Sequence, residues 1–427
     1  MRKRQRVLAS VAGAASLALI AACSPGSGDG GGDGTIQFLG PEDPAFFEPL
    51  IEAFEASHEG YTVEYTQVPF DQYNSTVQQR LSAGDESIDV YAVDQPRVPW
   101  MAAQGLLEDL SDLEDRAREA TTEGQYSTGI HQDKLWALPV WNSTQLMFVN
   151  QDALAAADVE GPGSDPSERW TWEQTAEAAE AAQEAGTEWG LLLEQTDFYY
   201  QLQPLMESKG GGSGVVGEDM LDQDVANAEW VEAMEWFGAT FEDGLSPRGV
   251  GTFETSPLFS GGDVAFFVGG PWDLGEFADS DVDWTVAPMP YFEGGEEVTP
   301  SGSWSWGVNP ASQAKDAARL FLEYAALDPA GNLASTERQT IIPANTEAAE
   351  EYLPRMDALA GERSAGAADL ISHEVANTGV VRPVTVGYAQ FEEVMNTAFA
   401  DIRNGSDAAS RLEQAGEQLE DAWAPLR

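Results

Sequence analysis

The sequence predicts an α/β fold. Three observations carry that expectation. Residues 35–93 alternate strand, helix, strand, helix, strand. A second alternation of the same kind starts near residue 145. The chain has 427 residues, 42% of them hydrophobic, enough for more than one core at roughly 150 residues per domain.

Thr35 to Leu39 is a short β-type run. Over residues 44–57, Phe46, Phe47, Leu50, Ile51 and Phe54 recur with helical spacing. Tyr61 to Val68 alternates and is rich in β-formers. Tyr73, Val77 and Leu81 mark a helix over 71–83, and Asp89 to Val93 is a short apolar strand. Such an opening belongs to an open sheet with parallel connections. Leu135 to Val140 reads as another strand. In the second region Gln145 to Asn150 is strand-like, and Thr171-Trp172-Glu173-Gln174 reads as a capping box for a helix ending near Gly186. A helix over 225–242, a strand over 263–268, an amphipathic helix over 312–327 and a mostly helical final stretch complete the expectation.

The formal net charge is −52, from 21 basic and 73 acidic side chains. A surface this acidic repels nucleic acid and anionic bilayers, so no nucleic-acid partner is expected, and the charge reads as solubility. The single cysteine excludes an internal disulfide and a Cys-based metal site. His58, His131 and His373 are far apart, and no metal or other cofactor is expected. Asp279 to Asp283 begins like an EF-hand loop, but Trp284 stands where the turn glycine belongs, so it reads as a solvated turn.

Residues 1–22 have a basic head (Arg2, Lys3, Arg4, Arg6) and an apolar run from Val7 to Ala22, too short for a bilayer span of about 20 residues. The run ends Leu19-Ile20-Ala21-Ala22-Cys23 and resembles a bacterial lipobox, which implies a lipid thioether on Cys23 and a signal peptide over 1–22. Residues 23–34, rich in Gly, Ser and Asp, read as a flexible tether. An exported protein anchored on the outer face of a bacterial cell membrane follows.

In open α/β sheets ligands bind beyond the carboxyl ends of strands. There the sequence places Glu42 and Asp43, Asp94 and Gln95, Trp141 and Asn142, and the turn Gly269-Gly270-Pro271-Trp272. Gly302, Ser303 and Trp304 follow, and then Arg382. Carboxylates, amides and guanidinium beside tryptophan suit a sugar. Planar polar groups match its hydroxyls, and a flat ring packs on its C–H face. Taken singly, a tryptophan is more often core and a loop carboxylate more often solvated surface; their joint recurrence at several strand ends carries the reading.

The chain resembles the extracellular solute-binding proteins of carbohydrate-uptake ABC transporters, the class of the maltose- and trehalose-binding proteins. The markers are the lipobox, Asp89-Val90-Tyr91-Ala92-Val93-Asp94, Gly105-Leu106-Leu107-Glu108-Asp109-Leu110 and Trp136-Ala137-Leu138-Pro139. Thr171-Trp172-Glu173, Phe259 to Ala265, the Gly-Gly-Pro-Trp turn, Gly302-Ser303-Trp304 and Arg382-Pro383 continue them in order. The resemblance implies a two-lobed periplasmic-binding-protein-like fold with three hinge crossings, near Asn142–Thr144, Met289–Pro290 and Gln339–Pro343. The amino lobe would be 35–143 and 291–339; the carboxyl lobe 144–290 and 343–427. A monomer would close on a carbohydrate, a di- or oligosaccharide by class, and hand it to the permease subunits of an ABC transporter. The implied contacts are Glu42, Asp43, Asp94, Gln95, Trp141, Asn142, Gly270, Trp272, Gly302, Ser303, Trp304 and Arg382, with Phe198, Tyr199 and Tyr200 as a further platform. Two other readings stay open: a binding protein for a polyol, glycerol phosphodiester or peptide, and an exported glycoside hydrolase.

Overall fold

The computed structural model describes residues 34–427. Residues 1–33, which hold the expected signal peptide, Cys23 and all of the expected tether except Gly34, lie outside the described residues.

The first sheet has the spatial order 62–67, 35–40, 90–94, 304–308, 138–139. The strand 35–40 runs parallel to both neighbours, while 304–308 is antiparallel to 90–94 and to 138–139. Helix Pro44–Ser57 starts where the Asp43 carboxylate accepts from the Ala45 N–H at 2.8 Å, and it buries Phe47, Leu50 and Phe54. Helix Phe70–Ser82 buries Tyr73, Val77 and Leu81. The Tyr73 hydroxyl, donating toward the Leu39 and Ala92 carbonyls at 3.0 and 2.8 Å, ties two strand ends together. The expected strand over 135–140 is broken into pairs at 134–135 and 138–139. Pro139 has no N–H to donate, and its strand lies at the sheet edge, where that is tolerated.

The second sheet has the order 284–287, 146–150, 264–269, 189–193. Its alternation sorts two cores. Met147, Val149, Leu191, Leu193, Phe266 and Val268 face one cluster, which includes helices Trp172–Ala185, Ala228–Glu242 and Tyr388–Arg403. Leu146, Phe148, Leu192 and Phe267 face the other, with helices Asp273–Ala278 and Thr346–Leu359. The Thr171–Gln174 capping box forms, and the helix it starts ends on Gly186 at φ 119°, a left-handed conformation suited to glycine.

Three strands of chain run between the lobes side by side. Trp141–Asn142 pairs with Ile342–Pro343, and Ser143 bridges Gly302. The crossing expected at Met289–Pro290 is displaced. Met289 and Phe292 are both buried in the second lobe's core, and Thr299–Ser301 pairs with Gly379–Val381 of that lobe. The first sheet is rejoined only at Trp304, so residues 291–301 pack with the second lobe rather than the first. Phe292 is the anchor that proline spacing did not reveal: its N–H donates to Ser208 Oγ at 3.0 Å. At the third crossing Ile341 belongs to the first core and Ile342 to the second lobe. Among the described residues no helix is long and apolar enough to cross a membrane.

Candidate functional site

A cavity of about 880 Å³ opens between the lobes. From the first lobe it is lined by Glu42, Phe46, Phe70, Asp94, Ser303 and Trp304, and from the second by Glu194, Phe198, Tyr200, Trp272, Arg382 and Glu392. Ser143 of the first crossing lies between them.

Trp272 is placed by the turn that ends strand 264–269. A Cβ on Gly270 would meet the Trp272 ring at 2.3 Å, so only glycine lets the indole fold back there. The buried Asp273 carboxylate accepts from the Gly270 N–H at 3.0 Å and closes the turn. The Trp272 Nε1–H donates to both Glu194 oxygens, at 2.9 and 3.0 Å. The Tyr200 ring stands 6.4 Å away, tilted by 43°. Burial pushes the Glu194 carboxyl up to about 8, against the pull of the indole N–H. Burial and the nearby Glu194 also raise Asp273.

Opposite, Asp94 sits at the end of strand 90–94 and Arg382 reaches it from the second lobe. The guanidinium forks onto the carboxylate, Nη1 to Oδ2 at 3.0 Å and Nη2 to Oδ1 at 2.5 Å. Burial raises the Asp94 carboxyl and the Arg382 charge pulls it back. Arg97 of the first lobe pairs with Glu392 of the second, and its Nε lies 3.9 Å from Asp94. Four charges of alternating sign, two from each lobe, thus meet at the cleft floor. The Arg382 guanidinium also lies over the Tyr200 ring at 5.3 Å. Trp304 is half-buried, with Phe70 and Tyr73 meeting it at steep angles, 5.9 and 5.7 Å away. Half-buried Glu42 has its carboxyl pushed up to about 7 by burial.

Of the expected contacts, Glu42, Asp94, Tyr200, Trp272, Ser303, Trp304, Arg382 and Phe198 come together around this cavity. The others do not line it. Trp141 is a core residue, 1% exposed, stacked on Phe47 at 5.7 Å and donating to Ser335 Oγ at 2.9 Å. It lies on a strand that continues into the crossing, so its ring points into the first core. Tyr199 is buried against Phe391, and its hydroxyl donates to the Ser213 carbonyl at 2.7 Å. One step along helix Tyr199–Ser208 turns a side chain by about 100°, which separates it from Tyr200. Gln95 and Asn142 lie behind the wall, in a chain of buried amides. Gln95 donates to Gln125 at 2.9 Å, Gln125 donates to Asn142 at 2.8 Å, and Gln95 Oε1 accepts the Ser303 N–H at 2.8 Å. Asp43 is an exposed helix cap. Gly270 and Gly302 shape backbone, the latter at φ 120°.

Glu194, Glu392 and Ser143 were not anticipated. Glu194 directly follows the apolar strand Trp189–Leu193, so the strand-end rule would have found it had that strand been recognised. Asp279 lines the cavity, and among the described residues no three His, Cys, Asp or Glu side chains are grouped to hold a metal.

Residues 40–332 match the family model of the bacterial extracellular solute-binding proteins. The chain is 27% identical over 276 residues to a maltodextrin-binding protein of Bacillus subtilis, covering 61% of each. It is 25% identical over 278 residues to a maltooligosaccharide ABC transporter solute-binding lipoprotein of Streptococcus pneumoniae, covering 61% of this chain and 60% of that one. The chain thus spans about three fifths of the length of these curated relatives. The structure of an ABC substrate-binding protein of Listeria monocytogenes in complex with cycloalternan superposes with a TM-score of 0.79 at 19% identity, covering 91% of this chain and 98% of that one. The GacH receptor of Streptomyces glaucescens, solved unliganded and with acarbose, gives 0.78 at 21% over the same shares. These structures show the fold, two α/β lobes about a cleft. With more than half of its length matched by the family model, the chain belongs to the bacterial extracellular solute-binding protein family.

Proposed function

We propose that this protein captures a sugar between its lobes outside the cytoplasm and delivers it to the permease of an ABC transporter. One observation carries the reading: the cleft sets Trp272, Tyr200 and Trp304 near the buried, forked Asp94–Arg382 pair. Indole and phenol faces suit the C–H face of a sugar ring. The carboxylate and guanidinium keep lone pairs and N–H groups for its hydroxyls. Contacts from both walls favour the closed form, which is a population shift toward the state with more ligand contacts. The protein binds without turnover in this reading, as its family does. Cys23 carries the lipid anchor, and Cys23→Ser should release the protein from membranes; unchanged membrane retention would refute that part.

A relative at 24% identity in Rhizobium meliloti is an sn-glycerol-3-phosphate-binding protein, so a phosphoester is the second reading. The cleft does not favour it. Each guanidinium lining the cavity already has a carboxylate partner: Arg382 with Asp94, Arg338 with Glu48 and Arg355 with Glu351. A thermal-shift and calorimetric screen over saccharides, polyols and glycerol phosphodiesters tests the choice, with chromatography of the mixtures for product. A sugar should raise the melting temperature and come back intact. A response to the phosphodiesters alone, or cleavage of the sugar, would overturn the proposal.

A further inference from the structure

The charges lining the cavity do not balance. Each guanidinium there is matched, by Asp94, Glu48 or Glu351. The carboxylates are in excess. Glu42, Glu194, Glu276, Asp279 and Glu337 also line the space, and among the described residues none of them makes an ion pair. Glu276, Asp279 and Glu337 are exposed, like the rest of this acidic surface. Glu194 is 8% exposed, so solubility does not account for it.

The hydrogen-bond partners of Glu194 are neutral donors, the Trp272 indole N–H and the Gln195 side chain. The titratable groups beside it, Asp273, Glu276 and the Tyr200 phenol, are all acids. Arg382 of the same lobe is turned to Asp94 and to the Tyr200 ring instead. A carboxylate has about four lone-pair sites, and a single indole N–H leaves acceptor capacity for the cavity. A buried carboxylate without a cation is a costly arrangement, and a positive group carried by the ligand relieves it. The Trp272 ring supplies the other half of such a site, because an indole face attracts an ammonium within ~6 Å of its centroid. A bare metal ion does not fit. Among the described residues no three His, Cys, Asp or Glu side chains are grouped to hold one. The cation therefore comes on an organic ligand.

We infer that the preferred ligand is a basic amino sugar, whose ammonium group docks between the Glu194 carboxylate and the Trp272 ring. The inference rests on the sugar reading above and names a class within it. The same argument that disfavours a phosphoester favours this ligand: the cleft has no free cation to offer and a buried carboxylate to satisfy. A neutral sugar leaves that carboxylate unpaired, and a site discriminates strongly when the wrong ligand leaves a buried polar group without its partner. N-acetylation removes the charge and should remove the advantage.

The test is calorimetric titration near pH 7 with glucosamine, galactosamine and mannosamine, their N-acetyl forms, the parent hexoses, and the β-1,4-linked dimers of glucosamine, N-acetylglucosamine and glucose. The best amino sugar should bind at least tenfold more tightly than its N-acetyl and hydroxyl counterparts. That ratio should survive about 1 M NaCl, which screens the acidic surface but not a buried pair. Heats in two buffers should show proton release, because Glu194 gives up the proton that burial keeps on it. Glu194→Gln should bring the ratio to within about threefold and abolish the proton release. Equal binding of the three forms overturns the inference. So does a preference that disappears in salt or persists in Glu194→Gln, and so does putrescine binding as tightly as the amino sugars. Failure of the sugar reading looks different: the wild type would bind no sugar of any form, charged or neutral, and the amine requirement would fall with it.

Discussion

Two buried carboxylates face the same cleft from opposite lobes, and their surroundings differ. Asp94 is met by the Arg382 fork, with Arg97 beyond it. Glu194 has the Trp272 indole N–H as its hydrogen-bond partner, with Asp273 and Glu276 as acidic neighbours. The first is neutralised by an ion pair that crosses between lobes; the second is held nearly proton-bound by burial. A buried charge needs a partner of opposite sign or it gives up its ionisation. The floor of the cleft uses the first solution and the tryptophan-bearing wall the second. Closure of the lobes therefore has an ionic component at Asp94, whereas the stacking platform beside Glu194 is sensitive to protons.

Removing the cation breaks the comparison most forcefully. Arg382→Ala should leave Asp94 without its fork, costing about 3–5 kcal/mol, and should weaken sugar binding as well. Chemical denaturation measures the first effect and calorimetry the second; a stability change below about 1 kcal/mol would mean the pair is dispensable.

Glu194→Gln sharpens the contrast from the other side. The amide still accepts from the Trp272 N–H but cannot ionise. Below pH 4.5 wild-type Glu194 is protonated in both folded and unfolded chains, and the variant should match it. Between pH 4.5 and about 8 the unfolded chain releases this proton while the folded one keeps it, so wild-type stability falls as pH rises. The variant should be more stable near pH 7, on the order of 3 kcal/mol. Melts from pH 5 to 9 that run parallel for the two proteins would refute the assignment.

Trp272→Ala tests the platform itself, with the smallest expected effect. Sugar affinity should drop about tenfold, ~1.4 kcal/mol, with folding preserved, because the ring is only half-buried. An early melt with normal affinity would put Trp272 in the core instead.

Trp141 and Trp272 show how far sequence reading reaches. Both were expected at strand ends beside polar residues. The strand before Trp272 is stopped by two glycines, whose lack of side chains makes room for the ring. The chain at Trp141 goes on to pair with Ile342–Pro343, about 200 residues away in sequence, and that pairing directs the ring inward. The displaced second crossing has the same origin. Pro290 marks a local break, but Phe292 is drawn into a core whose other members are remote in the chain.

What the sequence determined by itself is local. Helical spacing placed Phe47, Leu50 and Phe54 on one face of helix Pro44–Ser57, and Tyr73, Val77 and Leu81 on the next. Thr171 and Gln174 set a helix start that needed only three residues of chain. Strand-end chemistry pointed to Asp94, Trp272 and Arg382. The tertiary structure decided which of two neighbouring tyrosines faces the cleft, that Arg382 closes on Asp94 across the lobes, and that helix Thr346–Leu359 borders the cavity. The physical reason is range. Periodicity and capping act over a few residues, whereas burial and charge pairing depend on partners hundreds of residues away that only packing brings into contact.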